Sequence, residues 1–251
     1  MTASKRTRSW NRPAAVERLR AESFDVLVVG GGITGAGVAR DAALRGLTVA
    51  LVEAGDWAAG TSSRTTKLAH GGLRYLEELD FGLVRTALVE RAVLLSIAPH
   101  LTRPAPFLLP VYAGRSRPSW ELKAGLSLYD AMAGTRRFGR HRVLDAESAL
   151  QREPELSPRD LRGAGVYWDA RVLDARLVIE TVADARRAGA VAASYCSVED
   201  FEGALGGWAA EIHDRRSGEA FTLHARSCVA AVGPWTDRLR RRVAPGRGPL
   251  A

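Results

Sequence analysis

Residues 24–46 read FDVLVVGGGITGAGVARDAALRG, and this stretch predicts the fold of the chain. The apolar residues 26–29 lead directly into three glycines spaced as Gly30-x-Gly32-x-x-Gly35, and small residues follow. In this pattern the first glycine makes a tight turn, the second lets a pyrophosphate approach the backbone, and the third lets the helix pack on the strand. The helix start offers free N–H groups and partial positive charge to an anion. We therefore expect a buried parallel strand, a turn and a helix that bind a dinucleotide.

A carboxylate follows the second predicted strand. Residues 47–52 read LTVALV and end at Glu53, which lies 23 positions after Gly30. In dinucleotide-binding folds, a carboxylate about 20 residues along the chain accepts hydrogen bonds from a ribose. Glu53 also argues against NADP, because its charge repels the extra phosphate of that cofactor. An ordinary strand-turn-helix without a ligand is the alternative, and the fit of both flanks disfavours it.

The composition is that of a globular protein. Of the residues, 46% are hydrophobic and 25% are charged, which is ordinary for such a protein. The length of 251 residues is enough for one large domain or two small ones. No apolar stretch approaches the roughly 20 residues of a membrane span. No apolar segment follows the basic N-terminus, so we expect residues 1–22 to be a disordered arm and not a secretory signal. Cys196 and Cys228 are expected to be buried thiols, and no metal-ligand spacing is present.

The formal net charge is +8. Arginines are scattered along the chain without a recognition motif, so the sequence does not predict nucleic-acid binding. Solvated surface and charged tails explain most of this excess. Attraction to an anionic membrane surface or to an acidic substrate is the alternative explanation.

The rest of the chain divides into a site loop, an irregular block and a return of the α/β pattern. Residues 54–80 are rich in Gly, Ser and Thr and too long for a simple connector, so we expect them to form a wall of the site. Residues 99–170 are interrupted by prolines and predict an inserted domain that covers the ligand. The predicted helices are 81–97, 120–133, 145–151 and 174–188; the later strands are 107–112, 165–168, 191–198, 208–214, 221–225 and 227–232, with a hairpin turn at Ser217-Gly218.

Six separated segments resemble one family. GGGITGAGVARDAALRGLTVALVE is similar to the FAD-binding signature of two-dinucleotide-type flavoproteins, and TSSRTTKLAHGGLRYLE resembles a signature of FAD-dependent glycerol-3-phosphate dehydrogenases. ERAVLLSIAPHL, FLLP, YWDARVLDARLV and AAVGPW match the same family in the expected order, between about residues 24 and 237. The match covers only the N-terminal half of family members, so the resemblance implies that the chain is truncated.

The resemblance implies an α/β fold: an FAD/NAD(P)-binding Rossmann-like domain of three layers (ββα) with an inserted, incomplete α+β substrate or cap domain. Residues 23–98 and 171–237 would form the discontinuous FAD-binding domain. Residues 99–170 would form the partial cap, and residues 238–251 would be a tail.

The resemblance also assigns residues to FAD. The glycine turn would hold the pyrophosphate, and Glu53 the ribose of the adenosine. Residues 61–63 would line the pyrophosphate and flavin side, and the backbone of Val198 would meet the adenine. Lys67, Leu68 and residues 70–72 would run beside the isoalloxazine ring. The complete predicted set is Gly30, Gly31, Gly32, Ile33, Thr34, Gly35, Glu53, Ala54, Thr61, Ser62, Ser63, Lys67, Leu68, His70, Gly71, Gly72, Val198 and Gly233.

Three residues are implied to face the substrate, namely His70, Arg74 and Tyr75. Arg74 suits a substrate phosphate, because the fork of N–H donors on a guanidinium matches phosphate oxygens. Structural roles are the alternatives: His70 could order its loop, Tyr75 could pack in the core, and Arg74 could pair with an acid one helical turn away.

Further structural alternatives concern Lys67, which could face solvent, and two tryptophans. Trp168 and Trp235 are expected to serve packing and not to stack on a ligand.

The implied reaction oxidises sn-glycerol 3-phosphate to dihydroxyacetone phosphate. Hydride passes to the flavin, a base takes the hydroxyl proton, and the electrons go on to a quinone, or to oxygen as in oxidase relatives. The implied location is the cytoplasm, with peripheral contact at the inner face of the cell membrane. Two other hypotheses stay open: an inactive remnant or FAD-binding module, and another FAD-dependent oxidase that acts on amino acids.

Overall fold

A computed structural model of the chain describes residues 10–114, 118–204 and 206–243. Contacts between Cα atoms divide the chain into a first unit, Met1–Thr65 with Asp174–Ala251, and a second unit, Thr66–Leu173. The strands are β1 Ser23–Val29, β2 Val49–Glu53, β3 Leu68–Ala69, β4 Thr102–Tyr112, β5 Arg142–Asp145, β6 Leu161–Val172, β7 Val191–Ser194, β8 Cys196–Ala204, β9 Gly207–Asp214 and β10 Ala220–Ala230. The helices are α1 Arg12–Ala21, α2 Ile33–Leu44, α3 Phe81–Ile97, α4 Ser119–Ala133, α5 Ala146–Arg152, α6 Asp174–Arg187 and α7 Thr236–Val243.

The first unit is built on a six-stranded sheet in the order β7-β2-β1-β10-β9-β8. The first four strands in this order, β7, β2, β1 and β10, pair in parallel. In contrast, β9 pairs antiparallel with both β10 and β8. Residues 26–29 of its central strand β1 are a continuous apolar run, as expected of a strand covered on both faces. The predicted Rossmann-like α/β fold is confirmed.

Two hydrophobic layers enclose this sheet. On one side, Leu19 of α1 packs with a cluster that includes Leu27 and Ile212. On the other side, α2 and α6 pack on the sheet with Val178 among the buried residues. Small residues on α2, such as Ala39, keep that helix close to the strands.

The second unit has its own antiparallel sheet in the order β3-β6-β4, and β5 also pairs with β6. Helices α3 and α4 share a buried cluster that contains Val84, Leu88 and Tyr129. A smaller cluster joins α5 to β6 through Ala149 and Leu161.

Several predicted boundaries are confirmed and others are wrong. The helix at 81–97 is confirmed, but the strands predicted at 107–112 and 165–168 extend to the full β4 and β6, which pair along their length. The strand predicted at 191–198 is broken, because Tyr195 has a left-handed backbone with φ of +58°. The two strands predicted at 221–232 are one continuous β10, because it pairs with β1 beyond the point where β9 ends.

The N-terminal arm was predicted to be disordered over residues 1–22, and this is wrong for residues 12–21. They form α1, because Asn11 caps its start by accepting the Ala14 N–H at 3.1 Å and because Leu19 is fully buried. Residues 1–9 lie outside the described residues. At the other end, α7 continues to residue 243, and the rest of the predicted tail also lies outside them.

The contact division places residues 66–98 in the second unit, whereas the sequence predicts them in the FAD-binding domain. The functional division into an FAD-binding domain and a cap stays a prediction. None of the helices in the described ranges is long and apolar enough to cross a membrane.

A close backbone approach joins β1 to α2. Gly30 has a φ of +113°, which glycine adopts readily. A Cβ at Gly35 would lie 1.8 Å from the carbonyl oxygen of Gly30. Any side chain at position 35 would therefore push α2 away from the strand.

Arg12 ties α1 to the sheet. Its guanidinium forms an ion pair with Asp214, whose side chain is 4% exposed, and its Nε donates to the Ser194 carbonyl at 2.8 Å. Burial alone would raise the pKa of Asp214, but hydrogen bonds from Arg12 and from the Arg216 N–H outweigh it and lower the pKa to about 2.

We expect Gly35→Ala to lower the free energy of unfolding by about 3 kcal/mol, because the new methyl group overpacks the turn. Gly37→Ala on the same helix is the matched control, since a Cβ there meets nothing within 4 Å. That control should gain up to about 1 kcal/mol from helix propensity. Denaturant titration measures both values, and equal stability of the two variants would contradict the close approach.

We also expect a pH dependence from Asp214. Its folded-state pKa is lowered, so its contribution is fully present above its ordinary pKa of 3.8 and is lost as pH falls towards about 2. The wild-type chain should lose up to about 2 kcal/mol relative to Asp214→Asn between pH 4 and pH 2. A stability difference that stays constant over this range would contradict the assignment.

Candidate functional site

A cavity of about 920 Å³ lies in the first unit, where β1 and β2 end and α2 begins. Val29, Gly32 and Glu53 are among the residues that line it. Ligand sites typically enclose about 300–1,000 Å³, and open α/β sheets bind ligands at the carboxyl ends of their strands. The position and size of the cavity suit an extended cofactor.

The glycine turn presents hydrogen-bond donors to this cavity. The Ile33 N–H donates to the Ser62 hydroxyl oxygen at 2.9 Å. Across the described ranges, the N–H groups of Gly32 and Thr34 have no acceptor. Both residues line the cavity at the positive end of α2. Two unpaired donors at a helix start form a site for an anion such as a phosphate.

Glu53 stands beside the turn with its carboxylate held by two backbone groups. The Gly31 N–H donates to one carboxylate oxygen at 2.6 Å, and the Gly55 N–H donates to the other at 2.7 Å. Each oxygen can accept a further bond, because an ionised carboxylate has about four acceptor positions. The carboxylate is therefore fixed at the cavity with capacity for a hydroxyl donor.

The opposite wall comes from β8 and from the segment after β10. Register shifts between Val198 and Asp200, so the strand bulges at Glu199. Cys196 also lines this wall, and burial raises the pKa of its thiol to about 11. An uncharged thiol therefore faces the cavity. Cys196 is buried and Cys228 is half-buried, and both are free cysteines.

Ten of the predicted FAD residues line the cavity of the first unit: Gly30, Gly32, Ile33, Thr34, Glu53, Ala54, Thr61, Ser62, Val198 and Gly233. Three others lie close to it without lining it. Gly31 faces the Trp57 ring, Gly35 packs on Gly30, and the Ser63 hydroxyl donates to the Gly60 carbonyl at 3.3 Å. Their contacts with FAD stay predictions.

The remaining predicted residues belong to the second unit: Lys67, Leu68, His70, Gly71, Gly72, Arg74 and Tyr75. Lys67 and His70 are exposed, and Tyr75 packs partly against the cluster of α3 and α4. The side chain of Arg74 is 86% exposed, and its Nε lies 3.8 Å from a Glu78 carboxylate oxygen. Such an exposed pair contributes little to stability, so Arg74 is not committed to a structural role.

A buried network holds the Gly71 backbone in the second unit. Asp169 accepts hydrogen bonds from the Gly71 N–H at 3.1 Å, from Arg91 at 2.6 Å and from the Tyr129 hydroxyl at 3.0 Å. The side chains of Arg91 and Asp169 are almost fully buried. Burial, together with the charge of Asp169, raises the pKa of Tyr129, so its hydroxyl stays a donor. The buried network thus anchors the backbone of the loop that contains His70 and Gly72.

Several cavity residues were not predicted from the sequence, among them three arginines and one tryptophan: Arg64, Arg215, Arg238 and Trp235. Arg64 directly follows the predicted Ser63 and could have been included. Arg215 carries no local signal, because it lies in the β9–β10 turn and reaches the cavity only through the fold. Trp235 packs near Gly60, as expected for a packing residue, but it also lines the cavity and is 53% exposed. Among the described residues, no cluster of His, Cys, Asp or Glu could hold a metal.

The chain is similar to known proteins over nearly its whole length. The profile of the DAO family, described as FAD dependent oxidoreductase, matches residues 25–250. An alpha-glycerophosphate oxidase from Streptococcus pyogenes is 44% identical over 92% of this chain. An aerobic glycerol-3-phosphate dehydrogenase from Staphylococcus saprophyticus is 41% identical over 88% of it. The chain spans 38% and 40% of the length of these two relatives.

Solved structures give the same picture. A glycerol-3-phosphate dehydrogenase from Bacillus halodurans, complexed with FAD, superposes with a TM-score of 0.71 at 34% identity. That match covers 92% of this chain and 38% of the other. A glycine oxidase from Geobacillus kaustophilus gives a TM-score of 0.69 at 25% identity, covering 88% of this chain and 58% of the other.

We expect Tyr129→Phe to cost about 1–3 kcal/mol of unfolding free energy, because an oxygen of the buried Asp169 loses its donor. Tyr167→Phe is the matched control: its ring packs on Tyr129 with centroids 6.1 Å apart, and within the described part of the chain its hydroxyl makes no hydrogen bond. That control should change stability by less than about 0.5 kcal/mol. Chemical denaturation measures both, and equal losses would show that the hydroxyl of Tyr129 is not the source.

Proposed function

Because the chain belongs to the FAD-dependent oxidoreductase family, we propose that the cavity of its first unit binds FAD. One observation carries this proposal: unpaired N–H groups of the glycine turn and the fixed carboxylate of Glu53 line the same cavity. Gly32 and Thr34 supply free N–H groups where a pyrophosphate would lie, and Glu53 supplies an acceptor where a ribose would lie. The residues present therefore fit the cofactor.

Within this proposal each residue has one task. The backbone N–H groups of Gly32 and Thr34 donate to phosphate oxygens, and the positive end of α2 favours the negative charge. Ser62 already accepts from Ile33, and its hydroxyl proton is available to donate to a phosphate. Glu53 accepts from ribose hydroxyls, and the backbone of Val198 meets the adenine.

We extend the proposal to the substrate, sn-glycerol 3-phosphate, which is oxidised to dihydroxyacetone phosphate. The support is the identity of 41–44% to proteins named for this substrate, over 88–92% of the chain. When bound, FAD supplies the hydride acceptor. Arg74 binds the substrate phosphate through its exposed guanidinium, and His70 and Tyr75 face the same substrate.

The proposed electron acceptor is a quinone, with oxygen as the alternative. One relative is named an oxidase and the other an aerobic dehydrogenase, so the names of relatives do not choose between the two. A quinone requires contact with the membrane, which we propose at its inner face. The net charge of +8 favours attraction to anionic lipids.

The test is a flavin titration of the purified chain followed by anaerobic addition of glycerol 3-phosphate. We expect FAD to bind and its yellow absorbance to bleach on addition of substrate. No flavin binding would reject the cofactor proposal, and binding without bleaching would leave an FAD-binding module. Bleaching by glycine or sarcosine instead would indicate an amino-acid oxidase. Air or a soluble quinone is then added to the bleached protein, and the one that restores the yellow colour is the electron acceptor.

Glu53→Gln in the same titration tests the ribose contact. We expect FAD affinity to fall by about tenfold, because one of the two carboxylate acceptors becomes a donor that opposes a backbone N–H. Glu211→Gln removes the same charge at an exposed position of β9 outside the cavity, and it should bind FAD like the wild-type chain. Equal affinities of wild type and Glu53→Gln would exclude the ribose role.

A further inference from the structure

The turn between β7 and β8 consists of residues 194–196, and Tyr195 at its centre has an unusual backbone. Its φ of +58° lies in the left-handed region, which side chains other than Gly, Asn and Asp rarely adopt. We call these residues the Tyr195 turn. Such a conformation persists only where neighbouring groups hold it. Its N–H donates to the Gly55 carbonyl at 2.9 Å, and its carbonyl accepts from the Arg215 N–H at 2.9 Å.

Hydrogen bonds connect the Tyr195 turn to the carboxylate at the cavity. The Gly55 carbonyl accepts from Tyr195, and the Gly55 N–H donates to Glu53 at 2.7 Å. The other oxygen of Glu53 accepts from Gly31 in the glycine turn at 2.6 Å. Glu53 is thus held by two backbone segments, at Gly31 and at Gly55, and the Tyr195 turn binds the segment at Gly55. The direction of its carboxylate depends on both.

Arg12 of α1 holds the Tyr195 turn. Its Nε donates to the Ser194 carbonyl at 2.8 Å, and one terminal nitrogen lies 3.5 Å from the Cys196 sulfur. The same guanidinium is paired with Asp214 at the end of β9. Its side chain is only 20% exposed, and Arg12 does not line the cavity. One planar fork therefore joins the turn to the neighbouring strand.

We propose that Arg12 is a positioning residue for the adenosine end of the FAD site, acting through the Tyr195 turn and Gly55 on Glu53. This inference rests on the proposed function. Arginine is required because its fork bonds a carbonyl and a carboxylate in fixed directions, whereas a lysine ammonium is a single point charge on a flexible stem. Arg12 touches neither cofactor nor substrate.

The same helix provides a matched control. Arg20 of α1 pairs with Glu219, next to the β9–β10 turn, at 2.7 Å. This pair also links α1 to the sheet region, but its partners are exposed and it does not reach the Tyr195 turn. Loss of Arg20 therefore reports on the docking of α1 without disturbing Glu53.

The first experiment uses the full chain without FAD and measures amide hydrogen exchange by NMR. Arg12→Gln/Asp214→Asn removes both members of the ion pair, so no buried charge is left unpaired. We expect faster exchange at the N–H groups of Tyr195, Gly55 and Gly31, with unchanged exchange at Leu27 in β1. Arg20→Gln should leave all four unchanged. Unchanged exchange at Gly55 and Gly31, or an equal increase at Leu27, would overturn the proposal.

The second experiment titrates the same variants with FAD and with ADP, which has the adenosine and pyrophosphate but no flavin. We expect both ligands to bind about tenfold more weakly to Arg12→Gln and to the double variant, as for coupling through a contiguous network. Arg12→Lys should restore only part of the affinity, and Arg20→Gln should bind like the wild type. Wild-type affinity in the double variant would overturn the proposed role of Arg12 and would leave the proposed FAD site standing. Absence of FAD binding by the wild-type chain would instead reject the proposed function, and with it the role of Arg12 in FAD binding.

Discussion

Helix α2 approaches the end of β1 so closely that no side chain fits at Gly35 beside the carbonyl of Gly30. This contact sets where the helix begins, and so it sets where the unpaired N–H groups of Gly32 and Thr34 point. The same turn supplies the Gly31 N–H that fixes one oxygen of Glu53. The unpaired N–H groups and the Glu53 carboxylate are therefore positioned by the same turn, whose geometry depends on the missing Cβ of Gly35.

In the second unit, a buried network of hydrogen bonds and one ion pair fixes a loop backbone. Asp169 collects donors from the backbone of one loop and from two helices, α3 and α4, and it lies almost fully out of water. A buried ion pair of this kind is costly to break, because one partner would remain charged without compensation. The Gly71 N–H donates to Asp169 of this pair, so the buried network positions the backbone of the loop. The loop that carries His70 is thereby placed by the interior and not by its exposed side chains.

The glycine turn, the first two strands and Glu53 could be predicted because their geometry depends on neighbours within about 30 residues, the length of one βαβ unit. Helix α1 could not, because its apolar face has only a few residues and its stability comes from burial of Leu19 and from the bond between Arg12 and a strand some 200 positions away. Arg215 was not predicted, because it reaches the cavity only through contacts between residues that are distant in sequence. The break at Tyr195 has no sequence signal, since tyrosine is a common strand residue and its left-handed backbone is imposed by its partners. The roles of His70, Arg74 and Tyr75 rest on the family resemblance, because exposure alone does not assign a ligand.

The prolines of β4 have a consequence for association between molecules. Pro104, Pro106 and Pro110 share one parity along an edge strand of the described sheet, so the donors that they lack all belong to the same side of the strand. Proline is tolerated in a strand where its missing donor faces away from the partner, here β6. The free side of β4 therefore offers carbonyl acceptors with few matching N–H groups. A strand from a second molecule would find an incomplete ladder there, which protects this edge against aggregation.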